Sequence, residues 1–209
     1  MEPVLEWIGY VFGIVGSAWG IATYLYTSRK SAQLYKELRR VTWDEIRLAS
    51  HKLRKDIEKS FQPSVVFAPC RRGATIANLM FDNEENVLLH VGIRIDKRVD
   101  GATLMANPPT NDWQVAETEK YYHYIPQALV NLLAKDKMAR LLILDDYAMT
   151  GDALKRIIDF FLERGVERRN LKTATLICTA AAREGKKLPD FYWHKTTYSE
   201  FYFPWGKAV

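Results

Sequence analysis

The 209-residue chain is poor in the residues from which disulfide-stapled and metal-built folds are made: it has two cysteines, Cys70 and Cys178, and four histidines, His51, His90, His123 and His194. Two cysteines make no disulfide framework, and no Cys or His spacing matches a zinc site. A reducing compartment and a fold held by its own core are therefore expected. Internal repeats and low-complexity tracts are missing as well. Excess charge is confined to one stretch. The formal net charge is +5, and residues 29–59 alone carry ten Lys/Arg against five Asp/Glu, which is the whole excess. The remaining basic residues are scattered among acids and turns without interleaved aromatics, so no nucleic-acid partner is expected. With 48% hydrophobic residues the chain can bury one sizeable core, and two folds would be cramped.

Charge is missing altogether from Trp7 to Tyr26, WIGYVFGIVGSAWGIATYLY. About twenty apolar residues in a helix span a hydrocarbon layer of about 30 Å. Trp7, Tyr10, Tyr24 and Tyr26 lie near its ends, and Arg29-Lys30 follow at once. The expectation is a single-pass membrane anchor with the rest of the chain cytoplasmic. A signal peptide would begin with basic residues, whereas this start carries Glu2 and Glu6. A helix buried in a homo-oligomer stays open as the alternative. Gly9/Gly13 and Gly16/Gly20 form two G-x-x-x-G pairs that favour self-association in a membrane. The expected organisation is an anchor over 1–30, basic juxtamembrane and leading helices over 31–60, and one domain over 61–209.

Beyond the anchor, Thr42-Trp43-Asp44-Glu45 reads as a capping box, and Ile46, Ala49, Leu53 and Ile57 form one apolar stripe of a helix ending near Ser60. Strand 64–68, a loop over 69–73 and a helix over 74–80 follow. Then come a strand over 87–95, a polar segment over 96–122 of the length expected for a lid, and a helix over 126–134. Strand 141–144, helix 154–164 ending at Gly165, and strand 173–178 complete the alternation. It predicts an α/β fold with a doubly wound, mostly parallel sheet whose ligand sits at the carboxyl ends of the strands.

One stretch concentrates polar chemistry at such an end: LLILDDYAMTGDAL, residues 141–154. Adjacent carboxylates repel and prefer a shared cation or a set of hydroxyls. The turn Thr150-Gly151 before a helix offers amides and a hydroxyl to an anion. A diol at one end and a phosphate at the other describe a phosphorylated ribose. The stretch resembles the ribose-phosphate motif of type I phosphoribosyltransferases. That resemblance implies Asp145 and Asp146 on the ribose hydroxyls and on Mg²⁺, and Thr150, Gly151, Asp152 and Ala153 around the 5′-phosphate of phosphoribosyl pyrophosphate (PRPP). Ala153 stands where the family commonly has Thr or Ser. Upstream, VVFAPCRRGATIANLM, residues 65–80, is similar to the family's strand, pyrophosphate loop and helix, which implies Arg71, Arg72 and Gly73 at the pyrophosphate, with Arg71 in a catalytic role beside Asp145 and Asp146. TWDEI at 42–46 and Phe203-Pro204-Trp205 resemble the xanthine/guanine subgroup and its C-terminal hood. The resemblance covers residues 42–205 and implies a glycosyltransferase of nucleotide metabolism that acts on PRPP and a nucleobase-like acceptor.

The base side departs from that pattern. Met149 replaces the acid that purine-using members often place before the Thr, Glu200 falls where a stacking Trp is usual, and Thr179 falls where a Lys meets the purine carbonyl. Phe201, Tyr202 and Thr179 are the base-binding candidates. Two functions remain: a membrane-anchored phosphoribosyltransferase, or a PRPP- or nucleotide-binding sensor with little transfer.

Overall fold

The structure, a computed structural model, describes residues 21, 23, 39–82, 84–99, 111–197 and 201–207. Apart from residues 21 and 23, the expected anchor over 7–26 lies outside them, as do its G-x-x-x-G pairs and Glu200. Among the described residues no helix is long and apolar enough to cross a membrane.

Five strands form a parallel sheet: β2 (Val65–Ala68), β3 (Leu88–Val91), β7 (Leu141–Ala148), β8 (Leu171–Thr179) and β9 (Phe191–Thr196), in the order β3-β2-β7-β8-β9. β2 and β7 are buried at every residue, as a sheet with helices on both faces requires. On one face lie helices α1 (Trp43–Glu58) and α2 (Arg71–Phe81), packing Ile46, Ala49, Leu53, Ile57, Ile76 and Met80 against Val66, Leu142 and Leu144. On the other lie α3 (Gln127–Lys135) and α4 (Asp152–Leu162), packing Leu129, Leu133, Ile157 and Phe161 against Val65, Phe67 and Ile143. The capping box of α1 forms as expected: Glu45 N donates to Thr42 Oγ1 at 3.2 Å and Thr42 N donates to Glu45 Oε2 at 2.8 Å. Through that buried face α1 shares this core with the sheet.

Three expectations are corrected. Residues 87–95 are not one strand. Gly92 ends β3, and β4 (Ile93–Asp96) belongs to another sheet. A Cβ at Gly92 would lie 2.7 Å from Tyr124 O, so the chain passes there only without one. The segment expected to be an open lid over 96–122 holds β5 (Trp113–Glu117) and the start of β6 (Tyr121–Pro126), which pair with β4 in an antiparallel sheet of order β4-β6-β5. The loop over 69–73 is also shorter than expected, because α2 begins at Arg71. A last small sheet, the hood, joins β1 (Arg39–Arg40), β10 (Phe201–Phe203) and β11 (Gly206–Lys207).

The chain leaves β2 toward β3 and leaves β7 toward β8. The strand order therefore reverses between β2 and β7, where α/β sheets open a crevice beyond their carboxyl ends.

Candidate active site

Asp145 and Asp146 lie in the last turns of β7 rather than beyond it, and both are almost fully buried. Neighbouring strand residues point to opposite faces, so the acids part company. Asp145 faces the paired strands β4 and β6. Its Oδ1 accepts from Cys70 Sγ at 3.3 Å and from Asp146 N at 2.9 Å, and its Oδ2 lies 3.6 Å from the Arg94 guanidinium. Asp146 faces the hood. Its Oδ2 accepts from the Trp205 indole at 3.0 Å and lies 3.9 Å from Arg72. Burial, and then the charge of Asp145, raise the Asp146 pKa well above the carboxylate range. Burial in turn pushes the Cys70 thiol up to about 12, so it acts as a donor and not as a thiolate.

The turn after β7 follows. Gly151 caps α4 at φ +77°, and a Cβ there would lie 2.2 Å from Lys187 O, so only glycine fits. Its N-cap glycine has no side chain to offer, unlike Thr42 of α1, and Asp152 N donates instead to Thr150 Oγ1 at 3.4 Å. The first-turn amides have no carbonyl partner within the helix and present a partial positive charge. Thr150 Oγ1 donates to Asp152 Oδ2 at 2.6 Å, and the Lys187 ammonium bonds to Asp152 Oδ1.

A cavity of about 590 Å³ lies between this turn and the antiparallel sheet, lined among others by Arg94, Tyr121, Asp145, Met149, Thr150, Gly151, Asp152 and Ala153. The structure thus brings Asp145 together with the four turn residues. Gly73 sits beneath β7, where a Cβ would meet Leu144 O at 2.3 Å, and serves close packing of α2. Arg71 is exposed on the first turn of α2. Arg72 reaches Asp146 and donates to Lys207 O at 3.1 Å, so it faces the hood. The base-binding candidates lie elsewhere. Phe201 is buried in the core beside Tyr147, 6.4 Å between rings, and has no free face on which a base could stack. Thr179 is buried, caps α5 (Ala180–Glu184) and donates to Met149 O. Tyr202 is half-buried under the Lys207 ammonium, 6.0 Å from its ring. None of the three lines the cavity. Arg94, Cys70, Tyr121 and Lys187 carry no sequence signal. Their roles come from strands and loops that meet only in three dimensions.

The description "Phosphoribosyl transferase domain" matches residues 35–209. The chain belongs to the phosphoribosyltransferase family. Family members are glycosyltransferases that transfer the phosphoribosyl group of PRPP to a base. No curated protein matches this phosphoribosyltransferase. Solved structures similar in fold include a purine phosphoribosyltransferase from Pyrococcus horikoshii Ot3, with 19% identity, 82% of this chain and 95% of that one covered, and TM-score 0.55. A hypothetical protein from Neisseria gonorrhoeae with bound ppGpp shares 13% identity over 80% of this chain and 89% of that one, TM-score 0.55. A xanthine-guanine-hypoxanthine phosphoribosyltransferase from Helicobacter pylori shares 14% over 80% and 94%, TM-score 0.54.

Type I members generally use Mg²⁺ with PRPP. Among the described residues no group of three or more His, Cys, Asp or Glu could hold a metal alone. Magnesium needs no such cage, since it takes one or two carboxylates and completes its shell with water and substrate phosphates. Asp145, an oxygen donor lining the cavity, fits that requirement. Asp146, paired with the indole and Arg72 on the other face, does not line the cavity.

Proposed function

We propose that this phosphoribosyltransferase moves the 5-phosphoribosyl group of PRPP onto a purine or a related nitrogen base, releasing pyrophosphate, while anchored to a membrane through residues 7–26. The observation that supports it is one cavity that joins the N-terminus of α4 to a buried carboxylate. The amides of Gly151, Asp152 and Ala153 with the Thr150 hydroxyl hold the 5′-phosphate. Asp145 accepts from the ribose hydroxyls and favours the positive charge that develops on the sugar. Arg94 places a fixed cation beside the departing pyrophosphate, and the antiparallel sheet covers the reacting carbon from water. Magnesium, when bound at Asp145, adds Lewis-acid stabilisation of the leaving phosphates.

The test is pyrophosphate release from PRPP against a panel of bases. Asp145→Asn should weaken PRPP binding by about 100-fold, the worth of two hydrogen bonds to a charged group; unchanged affinity would refute the assignment. Fractionation of the full chain with and without residues 1–30 tests the anchor, which the basic stretch at 29–59 supports. Association of the full chain through the G-x-x-x-G pairs makes it a homo-oligomer. A second reading, a PRPP- or nucleotide-binding sensor with little transfer, draws on the burial of Phe201 and Thr179 away from the cavity. Tight PRPP binding without turnover on any base would favour it.

A further inference from the structure

The turn from Thr150 to Ala153 carries a single charge of its own, and that charge is negative. Asp152 is its one ionisable residue, and it lines the cavity. A carboxylate in the first turn of a helix favours the fold, because it meets the positive end of the helix dipole. It opposes a phosphate, which seeks the same amides and arrives with about two negative charges. The cavity lining as a whole holds four carboxylates against three basic side chains, so a polyanion gains from cations that cancel these acids from outside the lining. Two such pairs exist: Lys97 meets Glu117, and Lys187 meets Asp152.

Lys187 lies in the loop between α5 and β9 and does not line the cavity. Its backbone is fixed against the turn. Lys187 N donates to Ala182 O at 2.8 Å, and a Cβ at Gly151 would lie 2.2 Å from Lys187 O and 2.6 Å from Lys187 Cβ. Just before it, Lys186 holds φ +54°, the one left-handed backbone outside glycine among the described residues, so the loop accepts an unfavourable conformation to reach the turn. The Lys187 ammonium then bonds to Asp152 Oδ1, while Thr150 Oγ1 donates to Asp152 Oδ2 at 2.6 Å. The Lys187 bond first, and the Thr150 bond after it, lower the Asp152 pKa, so the pair is one of full charges. We infer that Lys187 is a positioning residue for the 5′-phosphate: without touching the ligand it cancels the Asp152 charge, so that the turn meets a doubly charged phosphate with its amides and no net charge of its own. This rests on the reading of the cavity as a PRPP site.

Calorimetric titration of PRPP, in saturating magnesium, into the full chain and its variants tests it. The Asp152 carboxylate is 55% exposed, so solvent screens the pair. Lys187→Met is expected to lose roughly tenfold in affinity, the worth of an exposed charge pair doubled for a doubly charged phosphate. Lys187→Arg keeps the charge and should stay near the wild type. The deciding variant is Lys187→Met combined with Asp152→Asn. With no acid left to cancel, its affinity should return to within about threefold of the wild type, a recovery that loss of loop packing would not show. An unchanged Lys187→Met, or a double variant as weak as Lys187→Met, overturns the inference and leaves the PRPP site standing. Absence of PRPP binding by the wild type overturns both. Should Lys187→Met fail to fold, Asp152→Asn alone decides: it leaves Lys187 as an uncancelled cation and should bind PRPP more tightly than the wild type, whereas equal or weaker binding overturns the inference.

Discussion

Replacing Trp205 by Phe removes one donor and leaves most of the packing. The Trp205 ring is stacked on Phe203 at 5.0 Å and 9°, and meets Trp43 edge-on at 5.5 Å, contacts that a phenyl ring keeps in part. What is lost is the indole N–H to Asp146, a carboxylate 1% exposed. A hydrogen bond to a charged group contributes ~1.5–3 kcal/mol, and one to a neutral acceptor ~0.5–1.5 kcal/mol. The two states of Asp146 therefore separate the two magnitudes. Its folded pKa is raised by burial and by Asp145, while unfolded it titrates near 4. A raised acid stabilises the fold below its unfolded pKa, and that contribution is lost as pH rises through the folded value. The indole bond lowers the Asp146 pKa and so limits the loss. In Trp205→Phe the acid titrates higher still, and stability falls further with pH than in the wild type. Thermal melts at pH 5 and pH 8 read the difference. At about 2–4 °C per kcal/mol for a domain of this size, the expected drop in Tm is roughly 3–12 °C at pH 8 and about half that at pH 5. The lost ring area is the same at both pH values and cancels in the comparison. Melts displaced by equal amounts at pH 5 and pH 8 would refute the reasoning, since the indole would then not be holding an ionisable group.

Two further perturbations address the turn and the thiol. Gly151→Ala places a Cβ 2.2 Å from a backbone carbonyl at φ +77°; the left-handed backbone alone costs ~1–2 kcal/mol, so urea denaturation should show at least that loss, together with weaker PRPP binding. An unchanged midpoint would mean that the turn is not as tight as Lys187 makes it. Cys70, with a pKa near 12, and Cys178, near 11, are both buried, so native-state alkylation at pH 8 should run at least about 100-fold slower than in denaturant. Reaction of either thiol at the denatured rate would contradict its burial.

Local chemistry was legible, and long-range chemistry was not. Thr42 and Glu45 announce α1 because a capping box is complete within four residues. Ile46, Ala49, Leu53 and Ile57 announce its buried face because helical periodicity is a local property. The same holds for β7 and the turn after it. Gly73 misled, because a glycine after Pro69 reads as a loop, whereas here it lets α2 start early and pass under Leu144 O. The segment 96–122 misled for a related reason: Thr118, Glu119 and Lys120 form a polar turn that hides the alternation of Trp113–Glu117 and Tyr121–Pro126 on either side. Arg94 sits inside a strand with no motif around it. Nothing in its neighbours says that Asp145, some fifty positions on, will be its partner.

The pair of acids shows how residues that share one motif can part in the fold. Adjacent in sequence, Asp145 and Asp146 invite the idea of one shared ligand, but residues adjacent on a strand cannot share a face. The fold resolves their repulsion by separation. Each carboxylate faces its own arginine, Arg94 at 3.6 Å and Arg72 at 3.9 Å, on opposite sides of β7. One then serves the cavity at α4, and the other ties the hood to the sheet through Trp205. The cavity side accordingly rests on β7 and α4, elements whose signals are contiguous in the chain. The hood side depends on how β10 and β11 are drawn over the sheet, and that depends on one indole finding one buried acid 59 residues away.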